Sequence, residues 1–171
     1  MLKHSLTVLS LLAFGLFPNT KVLLAQEKPL TITNIPTESN TQITRLEISL
    51  SRRQVTLYQN NNPIKTYPVA VGKAGWETPK GNFKVMQMLQ NPKWINPLTG
   101  EAILGGDPEN PLGRRWIGFW TNGTNWVGLH GTPNPNSVGK AVSHGCVRMH
   151  NQDIEELFTK VSPGIPVTVV P

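Results

Sequence analysis

Apolar and polar residues alternate over several short stretches beyond residue 45, with the period of two that is typical of half-buried strands. Residues 46–50 and 55–57 follow this pattern on either side of a polar turn at 51–54, which predicts a β-hairpin. A second turn, made of asparagines and a proline, follows at 60–63. Further strands are predicted at 64–71, 81–89, 116–120, 125–130 and 165–170.

Near the C-terminus the period changes to that of one amphipathic helix. Its apolar spacing is set by Ile154, Leu157, Phe158 and Val161. Asn151 is a candidate N-cap, and Pro163 with Gly164 ends the helix. The predicted fold class is therefore mainly β, a curved sheet or β-sandwich with this single helix packed on it.

Glycine and proline interrupt the chain often, with 15 of each among 171 residues, which excludes a helix bundle. Many of them fall between residues 91 and 115. A loop of that length inside a compact domain is usually functional, often as a lid or as a wall of a cleft.

The N-terminal 25 residues predict a secretory signal peptide. A basic start at Lys3 leads into an apolar run at 6–17, and a second apolar patch ends at Ala25. The run is shorter than the roughly 20 residues that a spanning helix needs, so no stable membrane span is expected after cleavage. An uncleaved anchor and, less favoured, a buried helix are the alternatives.

Residues 26–44 lack periodicity and are rich in Thr, Asn, Pro and Glu, which predicts a flexible linker. Residues 45–171 then form one domain. The hydrophobic share of 38% and the charged share of 15% fit neither a multi-span membrane protein nor a charge-rich disordered chain. The net charge of +6 favours anionic surroundings, but an exported chain is not expected to bind nucleic acid.

The candidate chemistry lies around the single cysteine, Cys146, which has no disulfide partner within the chain. It stands in the run Ser143-His144-Gly145-Cys146-Val147-Arg148-Met149, downstream of His130-Gly131-Thr132. A free thiol is mostly protonated at neutral pH, so a nucleophilic role requires an adjacent base or a positive field. The histidines and the arginine can supply both, and backbone amides near Gly145 could face a developing oxyanion. The pattern predicts an acyl-transferring thiol enzyme.

These segments resemble the signature of the L,D-transpeptidase family, the YkuD-type catalytic domain of bacterial cell-wall enzymes. Two further segments are similar to recurrent parts of that family, Thr78-Pro79-Lys80-Gly81-Asn82-Phe83 with Gly72 upstream, and Pro111-Leu112-Gly113-Arg114-Arg115-Trp116-Ile117. The resemblance covers 45–171 and implies the fold of that catalytic domain. It also implies peptidoglycan stem peptides as partners, a location in the periplasm or cell wall, no cofactor, no metal and a monomeric protein.

In that family a cysteine attacks a peptide carbonyl and forms a thioester, and the upstream histidine of the signature activates it. Carried over, Cys146 is the nucleophile, His130 is the general base, and Gly131 orients the base through its carbonyl. His144 and Gly145 would line the site, and the amides of His144, Gly145 and Cys146 would face the oxyanion. The substrate-binding residues implied are Arg148, which would engage a carboxylate or brace the loop, and Ser143, Thr132, Trp76 and Trp94.

The implied reaction transfers a tetrapeptide stem, with release of D-Ala, to the side-chain amine of a diamino acid in a second stem, which forms a 3-3 crosslink. Two alternatives share the fold. Water could resolve the thioester in an L,D-carboxypeptidase or hydrolase, or the stem could pass to a wall-anchored protein. A catalytically idle wall-binding module is a more distant alternative.

Other interpretations of the same residues stay open. Cys146 could be an inert core thiol, or it could hold zinc together with His130, His144 and His150. His150 is otherwise expected to be a structural residue at the helix start. Each of the five tryptophans is expected to pack in the core or in loops, and Trp76 and Trp94, which lie in predicted loops, are the better candidates for contact with a ligand.

Overall fold

The computed structural model describes residues 42–96 and 99–171. The expected signal peptide, 1–25, and residues 26–41 of the expected linker lie outside the described residues. The linker prediction also includes Ile43 and Thr44, but Ile43 is buried in the core and the Thr44 amide donates to the carbonyl of Tyr58 at 2.8 Å. The folded region therefore begins before residue 45.

The described residues form thirteen strands and one α-helix, which confirms a mainly β fold with a single helix. The strands are β1 (Arg45–Ser49), β2 (Gln54–Gln59), β3 (Asn62–Pro68), β4 (Val71–Gly72), β5 (Gly81–Lys84), β6 (Gln87–Gln90), β7 (Trp94–Ile95), β8 (Ala102–Ile103), β9 (Arg115–Thr121), β10 (Trp126–His130), β11 (Ala141–Ser143), β12 (Val147–Arg148) and β13 (Pro166–Val170). The helix, α1 (Asn151–Lys160), lies between the last two strands. No helix among the described residues is long and apolar enough to cross a membrane.

Two main sheets carry the fold, one of five strands in the order β3-β2-β1-β13-β5 and one of four in the order β12-β10-β9-β6. β1 and β2 form the predicted hairpin, in which Leu46 pairs with Leu57 and Ile48 pairs with Val55. All four of these side chains are fully buried, because alternation places them on the face that meets the core. β13 lies parallel to β1 and brings the C-terminal segment into the same sheet.

The prediction of one strand over 81–89 is wrong, because the chain passes from one sheet to the other in the middle of this segment. The amide of Val85 donates to Ile165, which precedes β13, while the amide of Met86 donates to Gly118 in β9, both at 2.8 Å. β5 therefore ends in the five-stranded sheet and β6 begins in the four-stranded one. The predicted strand at 64–71 is likewise divided, since β4 pairs separately with β11.

The core lies between the sheets, where Phe83 of β5 and Phe119 of β9 have ring centroids 5.7 Å apart. α1 buries Ile154 and Leu157 against this core, as its spacing predicts. The capping prediction is wrong: α1 begins at Asn151, so the N-cap residue is His150, and no side chain caps the helix. The Asn151 side chain is directed elsewhere, toward the segment after β10.

Candidate active site

Two parallel strands bring the segments of His130 and Cys146 side by side. In the pairing of β10 with β12, Leu129 lies opposite Val147 and His130 lies opposite Arg148. Since paired residues point to the same face of a sheet, Leu129 and Val147 both enter the core, where both are fully buried. His130 and Arg148 point to the opposite face. Cys146, one residue before β12, has the direction of Arg148, and all three side chains line one cleft.

This cleft has a volume of about 720 Å³, within the range of small-molecule and peptide sites. Its walls are mostly apolar and include four indoles, those of Trp76, Trp94, Trp116 and Trp126. The long loop at 91–115 supplies one wall, as its length predicts. Asn110 holds that loop together from a buried position, where its Nδ2 donates to the carbonyls of Pro92 at 2.9 Å and Leu104 at 3.0 Å.

His130 is buried at the end of β10 and is held through one ring nitrogen. Its Nδ1 lies 2.6 Å from the carbonyl oxygen of Gly131. A carbonyl oxygen accepts and does not donate, so this contact places the proton of the neutral ring on Nδ1. Nε2 then carries the lone pair, which is the arrangement that a general base requires.

The surroundings of His130 keep its imidazole neutral. Its ring stacks on that of Trp116 with centroids 6.0 Å apart, and the Trp116 indole N–H donates to Gln87 Oε1 at 3.1 Å. Burial lowers the pKa of His130 from its ordinary 6.5 to about 4, the positive charge of Arg148 adds to this decrease, and the hydrogen bond with Gly131 opposes it. At neutral pH the ring is therefore available to accept a proton.

The thiol of Cys146 is also uncharged. Burial raises the pKa of this thiol, while a hydrogen bond with the Gly128 backbone and the charge of Arg148 act in the opposite direction. Sγ lies 3.7 Å from the carbonyl oxygen of Trp126, to which the thiol donates. Among the described contacts no hydrogen bond joins the thiol to His130. The resting pair is therefore a neutral thiol and a neutral imidazole in one cleft, and not an ion pair.

The loop that presents Cys146 depends on Gly145 and Thr78. Gly145 has φ +109°, a backbone conformation that favours glycine over any other residue. The hydroxyl of Thr78, which is buried, donates to the carbonyl of Gly145 at 2.8 Å and accepts from the amide of Gly72 at 3.0 Å. A Cβ on Gly72 would lie 2.1 Å from the carbonyl oxygen of Trp76, so this close turn also requires glycine.

Ser143 is fully buried, and its hydroxyl serves the cysteine loop. It donates to the carbonyl of Cys146 at 2.5 Å and accepts from the amide of Gly145 at 3.2 Å. Ser143 also lines the cleft, as a substrate-binding residue would. Its hydroxyl and the Gly145 amide, which are expected to bind substrate and to face an oxyanion, bond to each other here. The amides of His144 and Cys146 are then the candidates for oxyanion donors.

The other predicted substrate contacts divide into two groups. Trp76, Trp94 and Arg148 line the cleft, and Trp76 meets His144 edge to face with centroids 4.8 Å apart. Thr132 differs from its prediction, since it is buried outside the lining of the cleft and its hydroxyl accepts from the amide of Asn134 at 3.1 Å.

Arg148 gives the cleft a positive charge that has no carboxylate partner among the described residues. In the described part of the chain no carboxylate lies within 4.0 Å of its guanidinium. Its backbone is fixed by two hydrogen bonds with Ala70, of 2.8 and 3.0 Å. Apart from histidine, Arg148 and Lys93 are the charged side chains among the described residues that line the cleft. The cleft is therefore suited to a ligand that carries carboxylates.

The zinc interpretation finds no ligand set in the described residues. Within 42–96 and 99–171, no three side chains of His, Cys, Asp or Glu lie close enough together to hold a metal ion. The imidazole of His130 forms a hydrogen bond with the Gly131 carbonyl, and that of His144 packs edge to face against Trp76. His150 is half-buried at the start of α1.

Some residues of the site were not predicted to belong to it. Trp116 and Trp126 line the cleft although core or loop packing is expected for them, because a cleft wall and a core both select large apolar rings. The hydroxyl of Thr78 and the amide of Asn151 act through backbone partners that are distant in sequence. For Thr78 the available signal is its place in a segment that resembles the family, whereas no sequence signal marks Asn151.

Comparison with known proteins identifies the family. The sequence matches YkuD, the L,D-transpeptidase catalytic domain, over residues 43–169, and the chain belongs to this family. The resemblance noted from the sequence is thus confirmed.

Two relatives are similar over most of this chain. It is 39% identical over 127 residues to YkuD of Bacillus licheniformis, named as a candidate L,D-transpeptidase, with 74% of this chain and 66% of that protein covered. It is 41% identical over 118 residues to YqjB of Bacillus subtilis, named in the same way, with 68% and 65% covered. The chain therefore spans just under two thirds of the length of these relatives.

The fold is similar to that of a solved L,D-transpeptidase, LdtMt1, whose structure was determined in complex with imipenem. The TM-score is 0.58 and the sequence identity is 25%, with 73% of this chain and 57% of that chain covered. The predicted fold type, that of an L,D-transpeptidase catalytic domain, is confirmed.

Proposed function

We propose that this protein is an exported peptidoglycan L,D-transpeptidase that uses Cys146 as nucleophile and His130 as general base. The observation that carries the proposal is the hydrogen bond between His130 Nδ1 and the Gly131 carbonyl, in the cleft that also contains the Cys146 thiol. This bond leaves Nε2 as the basic nitrogen. The family assignment supports the same activity.

The first half of the reaction acylates the cysteine. The thiol leaves the Trp126 carbonyl, passes its proton to His130 Nε2, and attacks the peptide carbonyl between the diamino acid and D-Ala of a tetrapeptide stem. A bond forms between Sγ and the carbonyl carbon, the C–N bond breaks, and the proton on Nε2 goes to the departing amine of D-Ala. Amides of His144 and Cys146 stabilise the transient oxyanion.

The second half returns the enzyme to its resting form. The side-chain amine of a diamino acid in a second stem attacks the thioester carbonyl and gives a proton to His130. The C–S bond breaks, and the proton passes from Nε2 to the thiolate. The product is a 3-3 crosslink. Attack by water in place of the amine gives a tripeptide, and an acceptor amine on a wall-anchored protein gives attachment.

The neutral charge state of the two residues determines how the proton moves. A thiol with a raised pKa and an imidazole with a lowered pKa do not exchange a proton at rest. Proton transfer therefore accompanies the attack on the substrate, as general base catalysis requires. Arg148 lowers the pKa of both groups, so it favours the thiolate that develops as the proton leaves.

The cleft supports a stem peptide as donor. Arg148 is a candidate partner for the carboxylate at the end of the stem, since its planar guanidinium binds a carboxylate through two hydrogen bonds. The indoles of Trp76 and Trp94 offer apolar surface on the walls of the same cleft. Removal of residues 1–25 as a signal peptide would place this domain outside the cytoplasm, where stem peptides occur, and we expect a monomer there.

A mass measurement tests the nucleophile directly. LdtMt1 was solved in complex with imipenem, and we expect this protein to be acylated by imipenem on Cys146. Residues 26–171 should gain the mass of one inhibitor molecule, and the Cys146→Ala variant, with a folded circular-dichroism spectrum, should gain none. An adduct on the Cys146→Ala variant, or no adduct on the unmodified sequence, would contradict the proposal.

A further inference from the structure

Asn151 makes contacts that its position at the start of α1 does not explain. It is the first helical residue and not the N-cap, and its side chain points toward the segment that follows His130. Its Nδ2 donates to the carbonyl oxygen of Thr132 at 3.2 Å. Since a carbonyl oxygen only accepts, this bond defines which end of the side-chain amide is the nitrogen.

The oxygen end of the same amide is buried without a conventional donor. It lies against two glycines: a Cβ added to Gly131 would be 2.0 Å from Oδ1, and one added to Gly113 would be 2.2 Å from it. A Cα–H bond of each glycine therefore points at Oδ1, which is the geometry of weak Cα–H···O contacts. Both positions exclude any side chain while Asn151 is in place.

These contacts bracket the peptide group that carries the Gly131 carbonyl. Asn151 touches the Cα of Gly131 on one side of that peptide and the carbonyl of Thr132 on the other. Glycine has a broad choice of backbone conformations, so this peptide needs external contacts to keep one orientation. Its carbonyl is the group that accepts from His130 Nδ1.

We propose that Asn151 is a positioning residue, which holds the Gly131 carbonyl and thereby maintains the tautomer and the orientation of His130. The inference rests on the proposed function, because the step it serves is the transfer of the thiol proton to His130 Nε2. Through Gly113, Asn151 also ties this segment to the loop that walls the cleft. The base, the cleft wall and the start of α1 thus meet at one side-chain amide.

Two substitutions separate this role from helix stability. Asn151→Ala removes both contacts. Asn151→Asp retains the size of the side chain and places a favourable negative charge in the first turn of α1, but it replaces the donor to Thr132 with an acceptor. If Asn151 served only the stability of the helix start, Asn151→Asp would behave like the unmodified protein. Gln152→Ala changes an exposed residue of the same turn and serves as the matched control.

Steady-state kinetics on a disaccharide-tetrapeptide give the first readout. We expect both Asn151 variants to lose about 10- to 100-fold in kcat, with KM changed by less than about threefold, because a misplaced base affects chemistry more than binding. In Asn151→Asp the new negative charge should also move the acidic limb of the pH profile to higher pH, since it favours the protonated imidazole. Gln152→Ala should match the unmodified protein in all three quantities.

The ring nitrogens of His130, observed by NMR after ¹⁵N labelling of histidine, give a second readout that needs no turnover. His130→Gln identifies its signals. The unmodified protein should show a protonated Nδ1 and a bare Nε2, and Asn151→Ala should show a mixture of the two tautomers. Unchanged kcat and tautomer in Asn151→Ala would overturn the proposal. It would also be overturned if activity fell only in proportion to the amount of folded protein while the tautomer of His130 stayed the same. Absence of any acylation in the unmodified protein would instead overturn the proposed function.

Discussion

The buried imidazole of His130 makes the stability of the folded protein depend on pH in a defined direction. Its pKa is about 4 in the folded state, below the ordinary 6.5 that applies to the unfolded chain. Between these values the unfolded chain binds the proton more readily than the folded protein does. The free energy of unfolding therefore falls as the pH is lowered from about 6.5 to about 4. Below that range both states bind the proton, so His130 causes no further decrease.

The size of the effect follows from the shift in pKa. Each pKa unit corresponds to about 1.4 kcal/mol, so the difference between 6.5 and about 4 amounts to roughly 3 kcal/mol. Urea unfolding of the unmodified protein and of His130→Gln, measured from about pH 7.5 to about pH 4, isolates this contribution, because glutamine does not titrate. The unmodified protein should lose roughly 3 kcal/mol more than the variant over that interval.

The control for this experiment is His144→Gln, which replaces an exposed histidine of the same site. The free energy of unfolding of His144→Gln should change with pH in the same way as that of the unmodified protein. Parallel losses in the unmodified protein and in His130→Gln would contradict a lowered pKa of His130, because they would show that its ring titrates as it does in water.

Further substitutions test the cysteine loop and the charge of the cleft. Gly145→Ala should cost about 1–3 kcal/mol of stability through its φ of +109°, and not through a clash, because no contact closer than 3.8 Å opposes the added methyl. It should also remove most of the activity, since this loop presents Cys146. Thermal unfolding and turnover measure the two effects. Thr78→Val should lower the free energy of unfolding by about 1–3 kcal/mol, because it leaves the Gly72 amide and the Gly145 carbonyl without their common partner. Thr78→Ser retains the hydroxyl and should lower it by less than about 1 kcal/mol in the same thermal unfolding measurement. Arg148→Gln should raise the pKa of the Cys146 thiol, slow its alkylation by iodoacetamide at neutral pH, and raise KM for a stem peptide with a free carboxylate.

Periodicity predicted the elements whose burial is one-sided. The hairpin of β1 and β2 and the helix α1 follow from alternation and from i, i+3, i+4 spacing, since each presents one face to the core. The division of residues 81–89 into β5 and β6 could not be predicted in this way. Alternation does not indicate which sheet a strand joins, and Val85 and Met86 differ in the partners of their amides.

The site shows the same limit. Cys146 and His130 stand out in the sequence because their residue types carry chemistry. The occupied hydroxyl of Ser143 and the engaged amide of Gly145 were not predicted, because a hydroxyl in a sequence does not show whether its partner is a ligand or its own loop. The position of Asn151 at the start of a helix predicts a helix cap, since Asn is favoured there. Its actual partners follow from the approach of three separate segments.

The most direct test of the proposed transpeptidation is mass spectrometry of the products formed when residues 26–171, and the Cys146→Ala variant, are incubated with purified disaccharide-tetrapeptide. We expect a dimer that has lost one D-Ala, formed with the unmodified sequence and absent with the variant. Tripeptide alone would indicate that water resolves the thioester, and would contradict transpeptidation while retaining Cys146 as nucleophile. Dimer formation by the Cys146→Ala variant would contradict the mechanism itself.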